Sequence, residues 1–184
     1  TDQWMKRHIE NFDLVLIDHH TDMQSSIVGD MLSCGNWAKK ALQNPFLHRL
    51  YLIGPSKHDL KSVERNKVLS FSIEELEQGA TIPLETKYPV YISIDKDVLD
   101  ERYAMTNWNQ GDMSLGMLED VLAHFLKNCE VIGIDICGDD PDIDDYPTYI
   151  KAERINNLSD DALYQTAIKI LKRRKKMRKI INLN

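Results

Sequence analysis

Short apolar runs alternate along this chain with segments whose apolar positions recur at the spacing of a helix. The runs are rich in Val, Ile, Leu and Tyr, which predicts buried β-strands. The predicted strands span residues 14–17, 49–53, 68–71, 90–94 and 130–137. The predicted helices span residues 3–10, 37–42, 73–78, 115–128 and 160–177.

This alternation predicts an α/β fold with a parallel sheet covered by helices on both faces, because parallel strands joined by helices are buried on both sides. Ser72 and Glu75 have the residue types of a capping box at the start of helix 73–78, and Ser114 is a candidate cap for helix 115–128. Ligand sites in open α/β sheets form beyond the carboxyl ends of the strands. We therefore look for the chemistry where each predicted strand ends.

The composition is that of a globular protein with one domain, residues 1–184. A formal net charge of −6 argues against extensive nucleic-acid binding. The predicted C-terminal helix, about residues 160–180, is basic, with the run KRRKK at 172–176. A solvated helix end explains this run, and a patch for nucleic acid or acidic lipid is the alternative.

The number of cysteines and the lengths of the apolar runs indicate the cellular compartment in which we expect the protein. Cys34, Cys129 and Cys137 are too few for a disulfide framework, and we expect Cys129 and Cys137 to be buried thiols. A reducing, cytoplasmic setting fits this usage. No apolar run is long enough to span a bilayer, and no signal peptide is recognisable. The chain starts at Thr1 without Met, and we expect the domain to be incomplete at its N-terminus.

Acidic residues and a histidine follow two of the predicted strands. Strand 14–17 runs into Asp18, His20 and Asp22, and strand 90–94 runs into Asp95 and Asp97. Side chains at alternate positions of a strand project to the same side, so Asp95 and Asp97 are expected to point the same way. Carboxylates held this close repel each other unless a cation lies between them or one is protonated.

This set of residues suits a hydrolytic metal centre. Mixed carboxylate and imidazole ligation favours Mn²⁺, Fe²⁺ or Zn²⁺ over Mg²⁺. Four carboxylates and one imidazole exceed what one divalent ion requires, whereas two ions bridged by carboxylates would use all of them. Such a pair activates water for hydrolysis.

Other polar residues have ordinary structural explanations. Asp100, Asp139 and Asp142, each taken alone, are typical turn formers or helix caps. Four histidines stand outside any ligand-like spacing and are expected on the surface or on helices, namely His8, His48, His58 and His124. If the strand geometry continues past residue 18, His19 faces away from His20.

The motifs resemble those of the arginase/agmatinase (ureohydrolase) family. Residues 18–22 (DHHTD) are similar to its D-A-H-x-D motif, and residues 93–100 (SIDKDVLD) are similar to its S-x-D-x-D-x-x-D motif. Residues 135–141 (DICGDDP) resemble its D-x-x-E-x-N-P segment. The resemblance extends over about residues 10–145.

The resemblance implies a three-layer α/β/α sandwich around a mostly parallel sheet, with two Mn²⁺ ions. It implies that Asp18 and Asp95 bridge the ions, that Asp22 completes one shell, and that His20 and Asp97 complete the other. A bridging hydroxide would then hydrolyse a non-peptide C–N bond of a guanidino, amidine or amide compound. The expected partner is a small-molecule substrate, with neither nucleic acid nor membrane, and family members often form homo-oligomers.

Some positions depart from the family pattern. The segment Cys34-Gly35-Asn36-Trp37-Ala38 corresponds to S-G-N-x-H, which places Ala38 where the family has a catalytic His. Gly138 stands where the family has a substrate-side Glu. The first His ligand of the family has no counterpart after Thr1, since His8 lies in a helix-like context. We expect this His to lie before Thr1, and without it the metal site of Asp22 is expected to be weak or empty. The resemblance leaves three substrate-binding candidates, Asn36, Asp139 and Asp140.

Three functions are compatible with this pattern. The first is a dinuclear metal hydrolase. The second is a degenerate family member that binds metal for a structural or regulatory purpose, which Ala38 and Gly138 favour. The third is a deacetylase-type amidohydrolase, ranked last because that group uses one zinc ion and a different ligand order.

Overall fold

The described residues form a five-stranded, all-parallel β-sheet flanked by helices. The computed structural model describes residues 1–25, 31–64, 66–83, 86–139 and 144–181, and only the backbone of 177–181. The strands are β1 (Phe12–Ile17), β2 (Leu47–Gly54), β3 (Val68–Ser72), β4 (Val90–Asp95) and β5 (Val131–Cys137). The helices are α1 (Asp2–Met5), α2 (Trp37–Ala41), α3 (Ile73–Glu77), α4 (Leu115–Asn128) and α5 (Tyr146–Ile181).

The strand order is β3-β2-β1-β4-β5, so β1 and β4 are neighbours at the centre of the sheet. Ile17 of β1 lies opposite Ile94 of β4, and the residues that follow them, Asp18 and Asp95, leave the sheet at the same level. The register of the two strands therefore places the two predicted clusters side by side.

Alternate residues of the central strands enter two separate cores, because successive side chains of a strand point to opposite faces. Val15 and Ile92 belong to the core that α4 and α5 cover. Leu14 and Leu16 belong to the core that α1 and α2 cover. The α/β fold and the three-layer arrangement are confirmed.

Two helix predictions hold closely. Ser72 and Glu75 form the predicted capping box, in which Ser72 Oγ accepts from Glu75 N and a Glu75 carboxylate oxygen accepts from Ser72 N. Ser114 Oγ accepts from Met117 N and caps α4 over the predicted span. Both local motifs fix where a helix begins.

The prediction for the C-terminal helix was wrong at its start. The helix begins at Tyr146 rather than near residue 160, and Pro147 lies in its first turn. Asp145 Oδ1 accepts a hydrogen bond from Thr148 N at 2.9 Å and so caps the helix. Proline is tolerated in a first turn because the N–H that it lacks has no partner within the helix.

The prediction of β5 as a buried strand was also wrong. In the sheet that the described residues form, β5 is the outermost strand, and its Ile132 and Ile136 are exposed. Cys137, expected to be a buried thiol, is exposed for the same reason, whereas Cys129 is buried as expected. An edge strand lacks the neighbour that covers one side of a central strand.

Candidate metal centre

The centre is assembled from the chain just beyond β1 and β4. Asp18, His20 and Asp97 each offer a ligand atom, and these atoms lie within 4.8 Å of one another. His20 Nδ1 is 2.8 Å from Asp97 Oδ2 and 3.6 Å from Asp18 Oδ1. The structure thus brings together residues that are distant in the sequence but adjacent at the carboxyl ends of β1 and β4.

Backbone groups hold these carboxylates in place. His20 N donates to Asp18 Oδ1 at 2.6 Å, and His19 N donates to Asp97 Oδ1 at 3.1 Å. Residues 96–98 form a 3₁₀ turn after β4, in which Asp97 N donates to Asp95 Oδ1 at 3.1 Å. The carboxylate positions are therefore set by the turns themselves.

The crowding of acids in a buried site changes their protonation. Burial raises the pKa of Asp18 well above its usual value, and the charges of Asp97, Asp22 and Asp95 raise it further. Hydrogen bonding to Asp18, followed by that to Asp97, raises the pKa of His20 to about 10. The carboxylates thus favour a positive charge, here a proton on His20. A metal ion would take the place of that proton, because imidazole binds metals in its neutral form.

Asp22 and Asp95 lie at the margin of this group. Burial raises the pKa of Asp22 to about 6 and also raises the pKa of Asp95, and both carboxylates interact with the charges of the central group. Asp22 has a φ of 51°, in the left-handed region, and Trp37 Nε1 donates to its Oδ2 at 2.5 Å. The donor set of oxygens and one imidazole fits Mn²⁺.

The sequence did not identify Trp37, Lys96 or Cys137 as neighbours of the centre. Lys96 is almost fully buried, and its Nζ lies 2.7 Å from Asp139 Oδ1 and 3.0 Å from Asp160 Oδ2. Cys137 Sγ lies 3.5 Å from Asp95 Oδ2. The one signal in the sequence was the position of Lys96 between the candidate ligands Asp95 and Asp97. A charged residue at a strand end that a helix covers has little access to solvent, so its burial could have been expected.

The two family positions that differ are both tightly enclosed. Ala38 is fully buried, and its N–H donates to the Asp22 carbonyl at 3.1 Å. Gly138 has a φ of 100°, and a Cβ there would collide with Asp95 Oδ1 and the Lys96 backbone. Neither position carries a charged or hydrogen-bonding side chain.

The substrate-binding candidates stay predictions. Both amide atoms of Asn36 are engaged within its own loop, with Ser33 N and with the Met31 carbonyl, each at 2.9 Å. Asp139 is exposed and paired with Lys96. Asp140, like Asp142, lies outside the described residues.

The histidines outside the centre have varied surroundings. His8 stacks on Trp4, with ring centroids 4.4 Å apart, and His124 Nε2 lies 2.9 Å from the Ile82 carbonyl oxygen. His48 Nδ1 lies 2.8 Å from the buried Asp13 carboxylate. His19 does not turn fully away from His20, because their ring centroids are 4.9 Å apart. The turn after β1 breaks the strand alternation on which that expectation rested.

A cavity of about 400 Å³ borders the centre at Asp95. Its wall combines apolar side chains with small polar ones, and the lining residues are Thr1, Asp2, Leu16, Leu32, Ser33, Cys34, Trp37, Ser93, Asp95 and Cys137. The lining residues within the described chain include carboxylates and no lysine or arginine. The charged groups of this wall are the carboxylates of Asp2 and Asp95 and the amino group of Thr1, which pairs with Asp135 at 2.7 Å.

A family model described as the arginase family matches residues 3–157. A protein of *Thermotoga maritima*, described as uncharacterized, is 32% identical over 145 residues, which are 79% of this chain and 55% of that protein. The chain thus spans little more than half the length of this curated relative.

Solved structures of similar fold include proteins that are described as enzymes. Formimidoylglutamase of *Bacillus subtilis* is 18% identical, with a TM-score of 0.71 over 94% of this chain and 57% of that one. Agmatine ureohydrolase of *Thermoplasma volcanium* is 20% identical, with a TM-score of 0.69 over 96% and 60%. A Mn²⁺-bound triple mutant of a *T. brucei* arginase-like protein is 23% identical, with a TM-score of 0.65 over 92% and 56%.

Proposed function

Because the chain belongs to the arginase family, we propose that it is a metal-dependent hydrolase of a non-peptide C–N bond in a guanidino, amidine or amide compound. The convergence of Asp18, His20 and Asp97 within 4.8 Å carries this proposal. The family resemblance assigns His20 and Asp97 to one ion and Asp18 to both ions. The *T. brucei* structure with bound Mn²⁺ supports manganese as the metal.

In this proposal five residues would hold the metal: Asp18 and Asp95 would serve both Mn²⁺ ions, Asp22 would serve one, and His20 and Asp97 would serve the other. The ions, when bound, supply Lewis acidity and activate water. Trp37 holds the Asp22 carboxylate through its indole N–H. The backbone N–H groups of His19 and His20 hold Asp97 and Asp18. These groups orient the ligands before any metal arrives.

The carboxylate end of an amino-acid substrate such as arginine finds no lysine or arginine among the described lining residues. Gly138 offers no carboxylate to hold a guanidinium. We therefore propose that arginine itself is hydrolysed little or not at all.

Three cysteines without a disulfide partner suit the cytoplasmic setting expected from the sequence. No helix among the described residues has the length and apolarity needed to cross a bilayer.

The alternative is a metal-binding protein without turnover. Its support is that Ala38 is fully buried and cannot transfer a proton, and that the Gly138 backbone leaves no room for a side chain. The cluster of buried carboxylates would still bind metal in such a protein.

The test begins with metal binding. We expect Mn²⁺-loaded protein to hold about two ions per chain, as a carboxylate-bridged pair would. Asp97→Ala should abolish binding of at least one ion, whereas Asp100→Ala should not, since Asp100 is outside the cluster and pairs with Arg102. Wild-type protein that binds no metal would overturn both functions.

An assay of catalytic turnover distinguishes the metal-dependent hydrolase from the metal-binding protein without activity. Loaded protein would be assayed for urea release from arginine, agmatine and guanidinobutyrate, and for glutamate release from formimidoylglutamate. Hydrolysis of any of these that is lost in Asp97→Ala supports the hydrolase, and rapid urea release from arginine would contradict the proposed substrate preference. Metal binding without turnover of any amidine or guanidine supports the alternative.

A further inference from the structure

An exposed tryptophan lies beside the candidate metal centre. Trp108 is 56% exposed, and its ring centroid is 6.2 Å from that of His20, with the two ring planes at 72°. The side chain of His20 is 31% exposed, whereas those of Asp18 and Asp97 are 3% and 4% exposed. Solvent therefore reaches these three side chains mainly at His20, and Trp108 lies next to that point.

The loop that carries Trp108, residues 99–113, is held together by its own polar side chains. Gln110 Nε2 donates to the Ala104 carbonyl at 3.0 Å, and Gln110 Oε1 accepts from Thr106 N at 3.2 Å. Thr106 Oγ1 donates to the Trp108 carbonyl at 3.2 Å. Hydrogen bonds thus fix the backbone from which the indole projects.

Other contacts fix this loop against the centre. Gly111 N donates to the Asp97 carbonyl at 2.6 Å, and a Cβ at Gly111 would lie only 3.0 Å from His19 Nδ1. Asn156 of α5 bonds to the backbone N–H and carbonyl of Met105, at 2.8 and 2.9 Å. The loop therefore holds the indole next to the candidate ligands, where its aromatic surface can contact a bound molecule.

Acidic groups surround this side of the centre. Burial lowers the pKa of His19, and the charge of His20 lowers it further. Three carboxylates act in the opposite direction, those of Asp97, Asp59 and Asp112. Asp59 and Asp112 lie outside the proposed ligand set, so bound metal ions would not pair with their charges. A cation bound between the loop and the centre would be attracted by these two carboxylates.

A planar cation suits a site with these properties. Cations are attracted to the faces of aromatic rings, most strongly to indole, and flat cations such as guanidinium also stack on them. Gly138 provides no carboxylate for such a group. The indole of Trp108 can supply the attraction instead.

We propose that Trp108 determines substrate specificity by stacking on a planar cationic group at the metal centre. This inference rests on the proposed hydrolase function. It narrows the substrate class from guanidino, amidine or amide compounds to those that carry a guanidinium or amidinium cation. Trp108 binds and orients this group and takes no part in bond cleavage.

Binding of methylguanidinium to the Mn²⁺-loaded full chain tests this directly. Bound Mn²⁺ broadens the methyl proton resonance of a molecule that binds nearby, so the dissociation constant can be measured by NMR without turnover. N-methylurea has a similar planar shape and no charge, and it should bind more weakly. Trp108→Ala should raise the dissociation constant for methylguanidinium by about 3- to 30-fold and leave that for N-methylurea nearly unchanged.

Two further variants separate stacking from a structural effect. Trp108→Phe keeps an aromatic face and should recover most of the affinity for the cation. Tyr164→Ala is the matched control, because Tyr164 is 59% exposed on α5 and lies outside the loop. All variants should bind Mn²⁺ as wild type does. With any cationic substrate that is hydrolysed, Trp108→Ala should raise KM by the same factor and preserve kcat.

The outcomes distinguish this inference from the proposed function. Normal Mn²⁺ binding with an unchanged dissociation constant in Trp108→Ala, or with equal weakening of both probes, would overturn the inference and leave the hydrolase function standing. Weaker Mn²⁺ binding in Trp108→Ala would also overturn it, since the indole would then act through His20. Wild-type protein that binds no Mn²⁺ would overturn the proposed function and this inference with it.

Discussion

Gly138 lies against the carboxylate of Asp95, so closely that a Cβ at position 138 would collide with Asp95 Oδ1. The loop after β5 can approach the candidate metal centre only because this residue has no side chain. The same contact rules out a carboxylate at position 138 in the present backbone arrangement. The contact between Gly138 and Asp95 thus affects both the packing of the candidate metal centre and the substrates that it can hold.

Gly138→Ala should destabilise the fold and weaken metal binding at Asp95. We expect the free energy of unfolding to fall by roughly 1–3 kcal/mol, since both a left-handed backbone and a contact are disturbed. Gly79→Ala is the matched control, because Gly79 has a φ of 80° but nothing within 4 Å of an added Cβ. Denaturant unfolding and Mn²⁺ titration measure the two effects. Equal losses in the two variants would show that the contact with Asp95 is unimportant.

Trp37→Phe should lower the affinity for one metal ion while preserving the fold. The change removes the indole N–H that donates to Asp22, and such outer hydrogen bonds hold a ligand ready for the metal. We expect about 10- to 100-fold weaker binding of that ion by calorimetric titration. Trp4→Phe should leave both ions unaffected, since Trp4 packs on Tyr91 and His8. An unchanged affinity in Trp37→Phe would argue that Asp22 is not a ligand.

Lys96→Met should lower the free energy of unfolding by about 1–3 kcal/mol, because it removes the buried cation that pairs with Asp139 Oδ1 and Asp160 Oδ2. Chemical denaturation measures this loss. Lys6→Met, which removes an exposed pair with Asp2, should cost less than about 1 kcal/mol. Adding Asp160→Asn to Lys96→Met should recover part of the loss. If the two lysine variants lose the same stability, Lys96 has no special structural role.

Tyr91 should titrate late. Burial, together with the charge of Asp135, raises its pKa to about 12, and its hydroxyl lies 3.1 Å from Asp135 Oδ2. Because this pKa lies above the unfolded value of 10.0, the contribution of the protonated Tyr91 hydroxyl to folding stability is complete below pH 10. That contribution is lost as pH rises through about 12. Ultraviolet absorbance should show a late tyrosinate signal that is reduced in Tyr91→Phe, and the signal of buried Tyr51, whose pKa burial also raises, should remain. A Tyr91→Phe titration identical to wild type would contradict the assignment.

The fold and the candidate ligands were largely accessible from the sequence. The apolar runs identified all five strands of the described residues, and strand ends such as Asp18 and Asp95 lie at one edge because parallel strands end together. Local caps such as Ser72 were predictable because their partners are only three residues away. The roles of the ligands as metal donors remain predictions.

Tertiary structure decided what depends on distant neighbours. Among the described residues β5 is the outermost strand and Cys137 is exposed, which its apolar sequence did not indicate. Lys96 is buried because the loop and helix that supply Asp139 and Asp160 cover it. Gly138 meets Asp95 because β5 lies beside β4. The sequence alone determined which residues leave the sheet at its carboxyl edge, because that follows from local periodicity. Only the packing of separate segments determined what those residues touch.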